Sequence, residues 1–201
     1  MLPRPRVNPR DQGVRRILGL MGPALLGVSV GQINMLLSTL LASFLAAGSI
    51  SWLYYSDRLM EFPLGILGVA LGTVILPKLS REHGASAPNA FSATIDWALR
   101  WVLILGLPAA LGLLFLAGPL FAVLFYSDAF TADDVHMAAR SLMAYGAGVM
   151  GFLAVKVLAP GYYARQQMRA PVRIAVVAML ANMVLSLVLM WPLGHAGLAL
   201  A

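Results

Sequence analysis

Five long apolar runs decide what this chain can fold into. They cover roughly 17–47, 50–77, 94–118, 134–157 and 172–192, and each reaches the ~20 residues a helix needs to cross a hydrocarbon core. Lipid offers the backbone no hydrogen bonds, so a spanning segment must be a helix or part of a closed barrel. The alternating ten-residue segments of a barrel are absent from the sequence. The expected fold class is therefore all-α integral membrane, with five transmembrane helices. Charge supports this: only 11% of the 201 residues are charged and 60% are hydrophobic, whereas a soluble domain carries about 25% charged residues. A water-facing surface of this size could not be covered.

The loops give an orientation. Arg4, Arg6, Arg10, Arg15 and Arg16 precede the first span, and residues 1–16 read as a basic cytoplasmic segment. The 78–93 loop holds Lys78 and Arg81, and the 158–171 loop holds Arg165 and Arg169. The alternate loops, 48–49, 119–133 and 193–196, contain no Lys or Arg, and the longest leads through Asp128 and Asp133 to Asp134. Positive residues mark the cytoplasmic side, so the N-terminus is expected inside and the acidic loop outside. Trp52, Trp97, Trp101 and Trp191 lie near span ends, as an aromatic belt predicts. The net charge of +6 does not point to nucleic acid, because the basic residues flank apolar spans. With no cysteine, disulfides and thiolate metal sites are excluded. The last residues, 197–201, open a further apolar segment, which suggests a piece of a longer protein with its next span starting at 197.

The first span has 31 residues, about 46 Å as a helix. Gly19, Gly22, Pro23 and Gly27 predict a bend in its first half, with the basic part at the interface. Farther on, Ser29, Gln32, Thr39 and Ser43 fall within about 80° of one another on a helix, and Asn34 pairs with Ser38 at i, i+4. These polar positions can line a cavity or bind a cation; interhelical hydrogen bonding is the plainer role for any one of them. Asn182 and Ser186 in the fifth span read the same way.

The second span holds the main anomaly, Asp57, Arg58, Glu61 and Pro63 within an otherwise apolar run. Asp57 and Glu61 share a helix face, and Arg58 and Glu61 are spaced to pair. Three charges in a span are costly and tend to be functional. Pro63 removes one backbone donor, and a broken helix beside intramembrane charge is a feature of transporter sites. The bland alternative is a structural ion pair on a packing helix, helped by the Gly68/Gly72 step. Within the cluster the formal charge is −1, one Arg against two carboxylates.

Two other patterns carry less. Gly146-Ala147-Gly148-Val149-Met150-Gly151 matches GxGxxG but follows no strand, so these read as packing glycines rather than a nucleotide loop. His83, His136 and His195 are too far apart in sequence to suggest a metal site, and no nucleophile–base signature appears. In the turn from Ala159 to Gln167, Tyr162 and Tyr163 suit an interface, and Arg165 can meet phosphates of substrate or lipid, besides signalling topology.

The string WLYYSDRLMEFPLGILGVALGTVILPKLS, 52–80, closely resembles the MurJ (MviN) family of lipid II flippases. KVLAPGYYARQQMRAPVRIA, 156–175, and MGPALLGVSVGQIN, 21–34, resemble the same family. The resemblance implies a fourteen-helix, two-lobe flippase fold of the multidrug/oligosaccharidyl-lipid/polysaccharide superfamily. Residues 17–201 would then form part of its C-terminal transmembrane lobe, about the seventh to eleventh helices. It implies transport of a polyprenyl-pyrophosphate-linked peptidoglycan precursor, lipid II, across the bacterial inner membrane by alternating access, with no covalent chemistry. By motif match Arg58 is the cavity arginine, Ser51 and Glu61 match cavity positions, and Asp57 sits beside them. Ser29, Gln32, Asn34, Asn182 and Arg165 are further candidates for lining the cavity. The implied partners are lipid II, membrane lipids and an N-terminal lobe of the same protein, which would supply the remaining arginines. No cofactor is implied; a coupling ion or the membrane potential would drive transport. The competing readings are a cation-coupled multidrug exporter of the same superfamily and a membrane scaffold without transport.

Overall fold

The computed structural model describes residues 12–201, with no side-chain description for 12–20, 22–24 and 26–28. The described backbone is helical almost throughout. In order the helices are α1 Gln12–Ser43, α2 Ser49–Gly84, α3 Pro88–Phe125, α4 Ala132–Ala164, α5 Arg169–Leu193 and the short α6 His195–Leu200. By length and composition α2 to α5 are apolar enough to cross a membrane. The helices run past the apolar cores of the runs: α2 has 36 residues, about 54 Å at helical rise. Its last turns, with Lys78, Arg81 and His83, extend beyond a ~30 Å core.

Local chemistry sets the ends. Gly48 enters α2 at φ +97°, and a Cβ there would lie 2.7 Å from the Trp52 ring, so glycine is required. Thr131 and Asp134 form a reciprocal capping box at the start of α4. The Thr131 amide donates to Asp134 Oδ2 at 2.9 Å. Ser86 and Gln166, at φ 53° and 56°, turn the chain between α2 and α3 and between α4 and α5.

The core is a three-helix seam. Trp52, Ser56, Met60, Leu64 and Gly68 recur every four residues along α2 and are buried, chiefly against α4. On α3 the buried positions include the small residues Ala98, Gly106, Ala110 and Ala117, which let the α3 and α4 backbones approach. Ser56 Oγ lies 2.8 Å from the Ala138 carbonyl across the α2–α4 seam and 2.7 Å from that of Trp52 in its own helix. α1 packs mainly on α5, and α6 lies between α4 and α5. Large apolar residues elsewhere face outward; Trp191 is 85% exposed, as lipid solvation allows.

Several expectations are corrected. Pro63 does not break α2: the helix is continuous from Ser49 to Gly84 through Pro63 and Pro77. A proline forfeits one ladder bond, and a packed helix tolerates that loss in lipid. Trp52 is not a belt residue; it is buried, and its indole donates to Asp134 Oδ1 at 2.8 Å. In α1 the Thr39 and Ser43 hydroxyls donate back to the carbonyls of Met35 and Leu40 in their own helix, and link no helices among the described residues. Of the GxGxxG glycines, Gly146 packs tightly against Leu113 and Leu114, whereas a Cβ at Gly151 would meet nothing within 4 Å. Arg4, Arg6 and Arg10 lie outside the described residues, and Arg15 and Arg16 lie in α1 without side-chain description.

Candidate functional site

The buried stripe of α2 leaves the opposite side of that helix uncovered. Ser51, Tyr54, Arg58 and Glu61 follow one another there at spacings of three and four, and all four are exposed. They fall within about 80° of arc, and Gly65 and Gly72 continue the same face. Arg58 Nη1 donates to Glu61 Oε2 at 2.6 Å, and the two side chains are 52% and 54% exposed. The guanidinium also sits 5.1 Å from the centre of the Tyr54 ring. Stacking on a ring and pairing with a carboxylate fix its direction while leaving donors free.

This geometry sorts the candidates. Arg58, Glu61 and Ser51 share one open face. Asp57 is one position round the helix and half-buried; among the described ion pairs Arg58 takes Glu61 and not Asp57. Tyr54 is a further member of the face. Its i, i+4 spacing from Arg58 was the available signal, but a tyrosine near a span end also suits an interfacial belt. From Ser51, Arg58 lies seven residues in, roughly 10 Å at helical rise, so the pair is well inside the span.

The remaining candidates stand apart from it. Ser29 and Gln32 are exposed on α1 and Asn34 is half-buried, but α1 touches α2 only lightly. Asn182 is half-buried on α5, one turn from the buried Ser186. Arg165 ends α4 beside Glu82, His83 and Phe91, near the far end of α2. That is about 36 Å from Arg58 at helical rise. Arg165 is therefore not in contact with the Arg58 face.

An uncovered basic side chain inside a membrane-spanning helix, held by a ring and a carboxylate, can exchange its carboxylate partner for another anion. Phosphate oxygens suit the planar fork of a guanidinium. Nothing on this face is arranged for covalent chemistry.

Comparison with known proteins agrees with the resemblance seen in the sequence. The family model described as "Lipid II flippase MurJ" matches residues 1–201. The probable lipid II flippase MurJ of Vibrio cholerae is 53% identical over 201 residues, covering all of this chain and 38% of that protein. The lipid II flippase MurJ of Burkholderia cenocepacia is 44% identical over 205 residues, covering all of this chain and 40% of that one. Among solved structures, a lipid II flippase MurJ in an inward closed conformation superposes with a TM-score of 0.82 at 28% identity, over 92% of this chain and 39% of that one. An outward-facing multidrug transporter of the MATE family shares the fold at 19% identity, with a TM-score of 0.79. The chain thus spans about two fifths of the length of the relatives it matches. Matched from residue 1 to residue 201, it belongs to the MurJ lipid II flippase family.

Proposed function

We propose that the protein carrying this chain flips lipid II across the bacterial inner membrane by alternating access, and that the Ser51–Tyr54–Arg58–Glu61 face of α2 forms one wall of its substrate cavity. Family membership places the chain in that membrane as a multi-pass protein. The observation that carries the functional reading is the position of Arg58, uncovered on a spanning helix and directed by Tyr54 and Glu61. A pyrophosphate arriving there competes with the Glu61 carboxylate for the guanidinium. Opening of the Arg58–Glu61 pair on binding, and its closure on release, gives the site a loaded and an empty state. The cluster is net −1, so further cations facing it are required to hold a pyrophosphate. They are expected from outside this chain, in the lobe that the relatives' greater length accommodates.

The test is substrate flipping in reconstituted vesicles, with membrane expression measured in parallel. Arg58→Ala is expected to insert at the parent level and to lose flipping. Arg58→Lys is expected to lose most of it, since an ammonium keeps the charge without the fork. Normal flipping by Arg58→Ala at normal expression removes this face from the site.

A further inference from the structure

At the other end of α2, its last turn meets the start of α3 and the end of α4 around a cavity of about 510 Å3, lined by Glu82, His83, Ser86, Phe91, Arg165 and Gln167 among others. Two opposite charges face this one space. Glu82 is half-buried; its Oε1 accepts the Thr94 hydroxyl at 2.8 Å, and its Oε2, shielded from solvent, has no partner among the described residues. Arg165 lies with its guanidinium 4.3 Å from the centre of the Phe91 ring. Ring stacking uses the face of the guanidinium and leaves its in-plane donors available. Glu82 and Arg165 are not paired with each other among the described ion pairs.

The backbone points to the same place. Ser86 and Gln166 are the non-glycine residues held at positive φ among those described. Ser86 lines the cavity, and Gln166 sits between two residues that do. Such conformations persist where the surroundings over-determine them, and they gather at ligand sites.

The chemistry specifies the ligand. A shielded carboxylate oxygen without a donor is costly, and an ammonium relieves it; a free guanidinium edge takes a phosphate. The terminal torsion of a glutamate is soft, so the carboxylate can turn an oxygen toward the cavity, with the Thr94 hydroxyl free to rotate and follow it. The ligand must carry a primary ammonium and a phosphate close together. The cavity is lined from the 78–93 and 158–171 loops, the basic loops that charge assigns to the cytoplasm. We propose that this cavity binds the headgroup of a zwitterionic phospholipid with a primary ammonium, the ammonium on Glu82 and the phosphate on Arg165. This rests on the membrane-spanning fold alone and not on lipid II transport, so failure of either reading leaves the other standing.

The test is native mass spectrometry of the full-length protein, delipidated and offered equal amounts of phosphatidylethanolamine, phosphatidylcholine and phosphatidylglycerol with the same acyl chains. Phosphatidylethanolamine should be retained roughly tenfold over phosphatidylcholine, the worth of one hydrogen bond to a charged group. Phosphatidylcholine has no N–H to give, and phosphatidylglycerol has no cation. Glu82→Gln, which keeps an acceptor for Thr94, should reduce phosphatidylethanolamine to the phosphatidylcholine level without lowering thermal stability in detergent. Arg165→Ala should lower retention of all three lipids. Equal retention of phosphatidylethanolamine and phosphatidylcholine by the parent, a preference for phosphatidylglycerol, or an unchanged preference in Glu82→Gln each overturns the assignment.

Discussion

Ser56 and Ser141 are both fully buried hydroxyls in the central bundle, yet the structure gives them opposite energetic roles. Ser56 Oγ reaches the Ala138 carbonyl on α4 at 2.8 Å, whereas Ser141 Oγ has no hydrogen-bond partner among the described residues. In Ser56→Ala the Trp52 and Ala138 carbonyls keep their helical amides, so no acceptor is orphaned and only the bond between helices is lost. Such bonds between membrane helices average about 0.6 kcal/mol and reach about 1.7. Ser56→Ala should therefore destabilise by roughly 0.6–1.7 kcal/mol. Ser141→Ala removes an unpaired polar atom and gains helix propensity, so it should be neutral or stabilising. Equilibrium unfolding in bicelles by steric trapping resolves differences of this size. The reasoning fails if Ser141→Ala costs as much as Ser56→Ala. The bond also helps fix the rotation of α2 on α4, and so the outward direction of Arg58, which makes partial loss of flipping in Ser56→Ala the expected functional echo.

Three further outcomes are expected. A cysteine at Asp128 should react with an impermeant reagent added to intact cells and one at Gly84 should not; these 201 residues hold no cysteine of their own, and in a full-length background cleared of any others labelling at Gly84 reverses the orientation. Gly146→Leu should destabilise by about 1–3 kcal/mol through overpacking against Leu113 and Leu114, with Gly151→Leu, open within 4 Å, as the harmless control; equal melting temperatures would refute the α3–α4 seam. His195, at the turn between α5 and α6, is held below its ordinary value by burial against Trp52 and by the charge of Arg140, partly opposed by its hydrogen bond to the Met137 carbonyl at 3.0 Å. Its neutral form is the folded one, so stability should be full above an unfolded value near 6.5 and fall as pH drops below it. His195→Gln should flatten melting temperature between about pH 7.5 and 5; an unchanged slope would remove His195 as its cause.

The fold class was legible because lipid leaves so few options: apolar length alone dictated helices, and the spacing of Arg58 and Glu61 dictated their pairing. What was not legible depended on neighbours. The four-residue stripe of α2 fixes which side of that helix is covered, but the stripe is blurred in sequence because the lipid-facing residues are apolar too. For the same reason Trp52 looked like a belt residue until α4 was seen to supply Asp134. Pro63 suggested a break because the rule for prolines in water overstates their effect in a packed membrane helix. The Glu82–Arg165 cavity joins residues 83 positions apart in sequence and had no local sign beyond a basic turn.

The central claim is that Arg58 serves a pyrophosphate and not merely its neighbouring carboxylates. The most direct measurement compares lipid II flipping by Arg58→Ala with flipping by a variant in which Asp57, Arg58 and Glu61 are all made neutral, each normalised to membrane expression. If Arg58 contacts substrate, both are inactive although both insert, since removing the carboxylates restores no donor to the phosphates. Recovery of flipping in the neutral triple variant would show that Arg58 only balances charge on α2, and would contradict the account.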